Sequence, residues 1–245
     1  MLPVPADRRD SDSGARWGSL RFRLRRWAGY PSRVIDADLL LRIYAAGCFP
    51  MWDEANAETG IFRPDPRAII EFDGLHVPRR LAKRMRAAPF RITTNEAFED
   101  VLDACHEDRA DGCWCSPDME IAYLELHERG FAHSIEAWRD DRLVGGLYGV
   151  QLGAAFMAES KFSRPEAGGT DASKIVLVNT VRSLAAAGFS LFDVQFRNDH
   201  IDRFGVVEID AEDYEQRLER ALATPRDWPL AFDAGAARVG IDDQG

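Results

Sequence analysis

The chain has 245 residues, 46% of them hydrophobic and 29% charged, which suits one medium domain or a small domain packed on a larger one. That composition excludes collagen-like, low-complexity and disordered chains, and no stretch approaches the roughly 18 to 20 continuous apolar residues of a membrane span. Thirty-one basic against forty-one acidic residues give a net charge of −10, which excludes generic nucleic-acid coating and leaves a nucleic-acid partner only a local patch.

The opening MLPVPADRRDSDSG lacks the apolar block of a secretory signal, so a cytoplasmic protein is expected. Residues 1–30 carry Arg21, Arg23, Arg25 and Arg26 without a sustained apolar period and read as a mobile basic extension. Leu39, Leu40, Ile43 and Tyr44 recur at helical spacing, which predicts a helix over 36–46 with Asp36 or Asp38 as cap and Gly47 as stop. Phe49-Pro50-Met51-Trp52 then turns sharply. Pro64 and Pro66 hold Arg63–Arg67 out of helix and lead into a strand over 68–72. A helix over 78–88, opened by Pro78, closes a small N-terminal domain over 31–88. From Arg79 to Arg91 the chain carries Arg79, Arg80, Lys83, Arg84, Arg86 and Arg91 and no acid, a run that is either a grip for phosphates or a solvated helix face.

The larger domain, 89–224, starts with a strand over 90–93, a helix over 95–105 capped by Asn95, and a helix opened by Ser116-Pro117 and closed by Gly130. Segments 132–138, 142–151 and 154–159 are rich in β-formers, and the turn Arg139-Asp140-Asp141 joins the first two into an antiparallel meander. A loop with Pro165, Gly168 and Gly169 leads to a helix capped near Asp171 and ended by Gly188, followed by a buried strand over 189–196. A strand over 206–209 and a helix over 211–222 finish the domain, and 225–245 form an acidic tail. Meander, loop, helix and strand is the core order of the acyl-CoA N-acyltransferase fold. The expected class is therefore α+β: a small N-terminal α/β domain plus a larger N-acyltransferase-like one.

Asp193 and Gln195 stand two apart on the strand over 189–196, so they share a face while Val194 points away. Either loops at the strand end satisfy them, or they orient an amine and a carbonyl. Asn198-Asp199-His200 follows and reads first as a helix start capped by Asn198. Glu159 lies among Phe156, Met157 and Phe162, where an acid is either paired, with Lys161 or Arg164, or functional; on a strand Glu159 and Lys161 would face one side. Trp114 is either a core aromatic or a platform for a base.

Four cysteines, Cys48, Cys105, Cys113 and Cys115, are too few and too unevenly spaced for a disulfide framework. Cys105, His106, Cys113 and Cys115 are close in sequence, but the one-residue gap between Cys113 and Cys115 suits structural zinc poorly, and no metal is expected. No His is placed by motif to activate a cysteine nucleophile. The loop Arg164-Pro165-Glu166-Ala167-Gly168-Gly169 has alanine where a pyrophosphate-binding loop has its first glycine, and Asp171 adds negative charge at the helix start, so coenzyme A is not expected.

YAAGCFP from Tyr44, RPDPR from Arg63, HSIEAW from His133, LVGGLYGV from Leu143, ESKFSR from Glu159, ASK from Ala172 and DVQ from Asp193 with NDH from Asn198 occur in this order. Together they resemble the leucyl/phenylalanyl-tRNA–protein transferases over roughly residues 36–222. The resemblance implies transfer of leucine or phenylalanine from aminoacyl-tRNA to a protein N-terminus, feeding N-degron degradation, by a monomer without metal or diffusible cofactor. It implies catalytic roles for Asp193, Gln195, Asn198 and Glu159, and contacts from Tyr44 and Trp114 to the tRNA 3′ adenosine. Leu147 and Phe156, with Lys161 and Ser163, fall in the substrate-binding set, and Arg79, Arg80, Lys83, Arg84 and Arg86 would hold acceptor-stem phosphates. The chain departs from the family pattern at Lys161, which stands at an apolar pocket position, at Met51, at Phe62-Arg63 and in a longer loop over 165–171. Those departures leave open which amino acid and which N-terminal residues are used.

Overall fold

The computed structural model describes residues 23–26 as backbone, and 34–53, 57–107, 115–230 and 232 in full. Within the expected basic extension, Arg23–Arg26 form a strand, β1; the rest of 1–30 lies outside the described residues. Helix α1, Ala37–Ala45, starts where predicted, because the Asp36 carboxylate accepts from Leu39 N at 2.7 Å. The expected sharp turn at Phe49–Trp52 is instead strand β2, Phe49–Asp53, paired with β3, Glu58–Asp65, in a sheet of order β1-β3-β2. Prolines hide these strands from sequence. Pro50 sits on an edge strand, and Pro64 pairs only with β1, beyond the stretch of β3 that β2 covers.

Strand β4, Arg67–Ile70, leaves this sheet and enters a larger one. Helix α2, Arg79–Arg86, strand β5, Arg91–Thr94, and helix α3, Phe98–His106, follow. Asn95 does not cap α3. Its backbone is left-handed, and its side chain reaches His133 Nδ1 at 3.0 Å and accepts from Ser134 N at 3.1 Å. Helix α4, Pro117–Glu128, is capped by Ser116, which accepts from Met119 N at 3.3 Å. The meander is observed as β6, Ala132–Arg139, β7, Arg142–Leu152, and β8, Ala155–Ser163. Helix α5, Ala172–Ala186, and strand β9, Leu191–Gln195, complete the expected meander, loop, helix and strand. Strand β10, Val206–Ile209, and helix α6, Ala211–Leu222, close the order.

The seven-stranded sheet runs β10-β4-β9-β8-β7-β6-β5 and is antiparallel except for β8 against β9. It has an apolar core on each side. Tyr148 and Met157 pack with residues of α1, α3, α4 and α6; Leu147 and Phe156 pack with residues of α2 and α5. Gly145 of β7 lets α5 approach, since a Cβ there would lie 2.5 Å from Ala172 Cβ. The division expected at residue 88 cuts across this sheet, because β4 belongs to it. The start of the expected acidic tail packs against the large sheet, where Trp228 stacks on His133 with centroids 4.0 Å apart and donates from Nε1 to Thr94 Oγ1 at 2.8 Å; residues 231 and 233–245 lie outside the described residues. Among the described residues, no helix is long and apolar enough to cross a membrane.

Candidate active site

The parallel pairing of β8 and β9 ends at Met157 opposite Asp193. Beyond that point β9 pairs with β4 through Gln195, and the two parallel strands separate. In open α/β sheets ligands bind outside the carboxyl ends of strands at such a switch point. Glu159 and Gln195 meet there, with Gln195 Nε2 donating to Glu159 Oε1 at 2.7 Å. Neither partner predicted for Glu159 on β8 is its contact, and a β-bulge explains why. Gly149 pairs with Ala158 and Tyr148 with Ser160, which leaves Glu159 as the extra residue on β8. Lys161 stands opposite Leu147 and so shares the face packed on α5, whereas Glu159 couples to Tyr44, Tyr123 and Tyr148 of the other core. The bulge breaks the alternation that would have set Glu159 and Lys161 side by side.

Burial pushes the Glu159 carboxyl up to about 7, while hydrogen bonds from Gln195 and Tyr44 pull it down and the Asp193 charge raises it. Tyr44 and Tyr123 share a 2.6 Å hydroxyl–hydroxyl contact, and burial holds both phenols protonated, well above their ordinary value.

Asp193 is 0% exposed. Its Oδ1 accepts from Arg67 Nε at 2.9 Å and from Gln195 N at 2.8 Å. Its Oδ2 accepts from Arg67 Nη2 at 2.5 Å and from the Tyr214 hydroxyl at 2.9 Å. Two donors on each oxygen use the carboxylate's hydrogen-bonding capacity and leave no lone pair for an incoming amine. Arg67, 1% exposed, also donates from Nη1 to Gly47 O at 3.0 Å and lies over the rings of Tyr214 and Phe49, at 4.5 and 5.1 Å. Burial works against the guanidinium's charge, but the Asp193 carboxylate more than offsets it and holds the group charged. Gln195 has a left-handed backbone, φ 63°, and the Asp193 bond to its N–H fixes that conformation. The Asp193 carboxylate therefore holds the backbone of Gln195 in place.

The remaining predicted residues divide clearly. Asn198 caps the turn after β9, its Oδ1 accepting from His200 N at 3.1 Å and Ile201 N at 3.2 Å. Leu147, Phe156 and Tyr44 are buried in the two cores. Ser163 ties β8 to α5: it donates to Ser173 Oγ and accepts from Ser173 N, both at 2.9 Å. With Ala172 N bonded to Gly169 O at 2.9 Å, the start of α5 is not an open cradle of amides. Trp114 lies outside the described residues. On α2, Leu81, Ala82 and Met85 face the core; Arg79, Arg80, Lys83 and Arg86 are exposed, while Arg84 leans toward Asp171, Nε to Oδ2 3.9 Å.

The family described as leucyl/phenylalanyl-tRNA protein transferase matches residues 69–219. The chain belongs to that family. The matched stretch contains Glu159, Asp193, Gln195 and Tyr214 and starts two residues after Arg67. A leucyl/phenylalanyl-tRNA–protein transferase of Salinibacter ruber (strain DSM 13855 / M31) is 48% identical over 207 residues, 83% of this chain and 87% of that protein. Another, of Phenylobacterium zucineum (strain HLK1), is 46% identical over 216 residues, 86% of this chain and 93% of that protein. A solved ribosomal-protein-alanine N-acetyltransferase from Brucella melitensis biovar Abortus 2308 is similar over 58% of this chain and 96% of that chain, with 17% identity and a TM-score of 0.33.

The sequence reading of this family member missed Arg67, Tyr214 and Tyr123. Arg67 carried a usable signal, because an arginine opening the apolar run Ala68-Ile69-Ile70 must bring its charge into the core with a partner. Tyr214 and Tyr123 carry no such signal, each being one buried aromatic among the apolar residues of its helix.

Proposed function

We propose that this member of the leucyl/phenylalanyl-tRNA–protein transferase family moves leucine or phenylalanine from aminoacyl-tRNA to the α-amino group of a protein N-terminus, and that Glu159 and Gln195 are the groups that touch the reacting atoms. The observation that carries the reading is the Gln195–Glu159 contact at the parting of β8 and β9. The reaction places the enzyme in the cytoplasm, where charged tRNA is found, and its product is a protein with a new N-terminal residue open to N-degron recognition.

An aminoacyl ester is already activated, so the enzyme's main tasks are to hold amine and carbonyl in attack geometry and to accept a proton. With its Nε2 bonded to Glu159, Gln195 has its Oε1 to offer as an acceptor for the incoming amine. The amine nitrogen bonds to the ester carbonyl carbon, Glu159 takes the amine proton, and the bond to the ribose oxygen breaks as Glu159 returns that proton to the leaving hydroxyl. A carboxyl near 7 suits both halves of that exchange at neutral pH. Asp193 and Arg67 are positioning residues in this scheme, and Asn198 shapes the turn after Gln195.

The exposed face of α2 supplies the phosphate grip. Reversing charge at Arg80 and Lys83 removes two cations that point to solvent, so log affinity for tRNA should fall less steeply with log salt, by about 1.5 to 2 in slope. Filter-binding titrations across salt concentrations measure it, and an unchanged slope would move the RNA site elsewhere. The reading as a whole is tested by labelled transfer from a panel of aminoacyl-tRNAs to peptides beginning with Arg, Lys, Asp or Glu. Transfer of leucine or phenylalanine is expected; no transfer from any charged tRNA overturns it.

A further inference from the structure

His106, Cys115 and Glu120 each offer one ligand atom, and the three atoms lie within 4.8 Å of one another. His106 is the last residue of α3, Cys115 directly precedes the α4 cap Ser116, and Glu120 lies in the first turn of α4. Helices α3 and α4 are anchored in the core through Val101, Leu102, Met119 and Tyr123, so packing and not surface chance sets the positions of the three donors. Sequence spacing directed attention to Cys113, and could not show that the first turn of α4 brings a carboxylate to His106.

The arrangement has the donor set of a metal site. His106 Nδ1 and Glu120 Oε1 are hydrogen-bonded at 3.0 Å, and an ion between them would open the pair only slightly, to the roughly 3.3 Å that separates two ligand atoms on a tetrahedral ion with bonds of about 2.0–2.1 Å. The Cys115 sulfur, now 3.7 Å from Ser116 O, lies within 4.8 Å of both. The other ring nitrogen, His106 Nε2, lies 3.2 Å from the Tyr148 hydroxyl. Tyr148 is fully buried, and this contact fixes the ring with Nδ1 toward the other two donors, as outer partners of ligating histidines do. Burial also pushes the Glu120 carboxyl up, a penalty that an adjacent cation would relieve.

We propose that His106 Nδ1, Cys115 Sγ and Glu120 form a binding site for one late first-row divalent cation of the zinc class. A thiolate with an imidazole selects such ions over magnesium and calcium, which take oxygen ligands. Binding releases the Cys115 thiol proton to solvent, and the imidazole proton that joins His106 Nδ1 to Glu120 shifts to Nε2, where it is donated to Tyr148. Three protein ligands leave a fourth position for water. The proposal does not rest on the Glu159–Gln195 reading, although Tyr123 and Tyr148 lie between the two sites and couple to both Cys115 and Glu159.

Cobalt(II) titration of the full-length, chelator-treated protein tests the site. One equivalent should bind with the visible bands of a tetrahedral ion and a near-ultraviolet thiolate band, and zinc should displace it. Cys115→Ala should abolish the thiolate band, and Glu120→Gln, at a partly exposed position, should weaken binding at least about tenfold. Tyr148→Phe should weaken it about 10- to 100-fold without changing the spectrum. Cys113→Ser should leave affinity and spectrum unchanged. Circular dichroism of each variant separates lost binding from lost fold. Absence of a saturable equivalent in the wild type, a thiolate band that survives Cys115→Ala, or binding lost in Cys113→Ser overturns the assignment.

Discussion

Replacing Asp193 by alanine should lower the stability of the fold by about 3–5 kcal/mol, a fall in Tm on the order of 10 °C for a chain of this size, and abolish transfer with it. The substitution strands the Arg67 guanidinium in a fully buried position, and its remaining contacts, the Gly47 carbonyl and two aromatic rings, carry no opposite charge. It also removes the acceptors of the Tyr214 hydroxyl and the Gln195 N–H. A base at the mouth of a crevice behaves differently: its loss stops the chemistry and leaves Tm where it was. Arg67→Met combined with Asp193→Leu separates the two roles further. The pair removes both charges at once and should recover much of the lost stability, because a buried ion pair exchanged for apolar groups of similar volume is often near neutral. Recovery should stop short by about 1–3 kcal/mol, since the buried Tyr214 hydroxyl and the Gln195 N–H still lack their acceptor, and transfer should stay lost because the left-handed turn at Gln195 is no longer held. Thermal melts and transfer assays on the three variants measure this. Full stability in Asp193→Ala, or full activity in the double variant, would refute the positioning role.

The sequence was most readable where local rules act alone. Asp36, Ser116 and Asp210 cap helices because each offers a carboxylate or hydroxyl to an amide three residues on, and the meander follows from β-rich runs joined by the left-handed pair Asp140-Asp141. Reading failed where a distant partner overrides a local rule. Asn95 looks like a cap until the β6 backbone at Ser134 claims its side chain, and Pro50 and Pro64 argue against strands that survive because each proline sits where one side of the strand is unpaired. The site shows the same division. Alternation along a strand brought Asp193 and Gln195 to notice but set them on one face, whereas the positive φ at Gln195 turns one inward to Arg67 and the other toward Glu159. The bulge that presents Glu159 depends on the register between β7 and β8, which no single segment encodes.

Glu159→Gln should reduce kcat/KM for transfer by at least about a hundredfold with little loss of folded protein, because the amide keeps the carboxylate's shape and removes only its capacity to accept a proton. The pH dependence identifies the role. In the wild type two groups must lose protons: Glu159, held up to about 7 by burial, and the acceptor's α-amino group, ordinarily at roughly 7.7–8.0. Below both values log kcat/KM should rise with pH at a slope of about 2, and in the variant at a slope of about 1, since only the amine still titrates. A Glu159 that merely positions Gln195 predicts a smaller rate in the variant with the slope unchanged. Stability supplies an independent reading with its own sign. The Glu159 carboxyl binds its proton more tightly folded than at its ordinary value of 4.5, so stability linked to it is present below that value and lost as pH rises through about 7. Glutamine cannot ionise, and the variant should therefore gain stability relative to the wild type between pH 4.5 and 8; denaturant midpoints that stay parallel across that range would mean that the carboxyl is not held up by the fold.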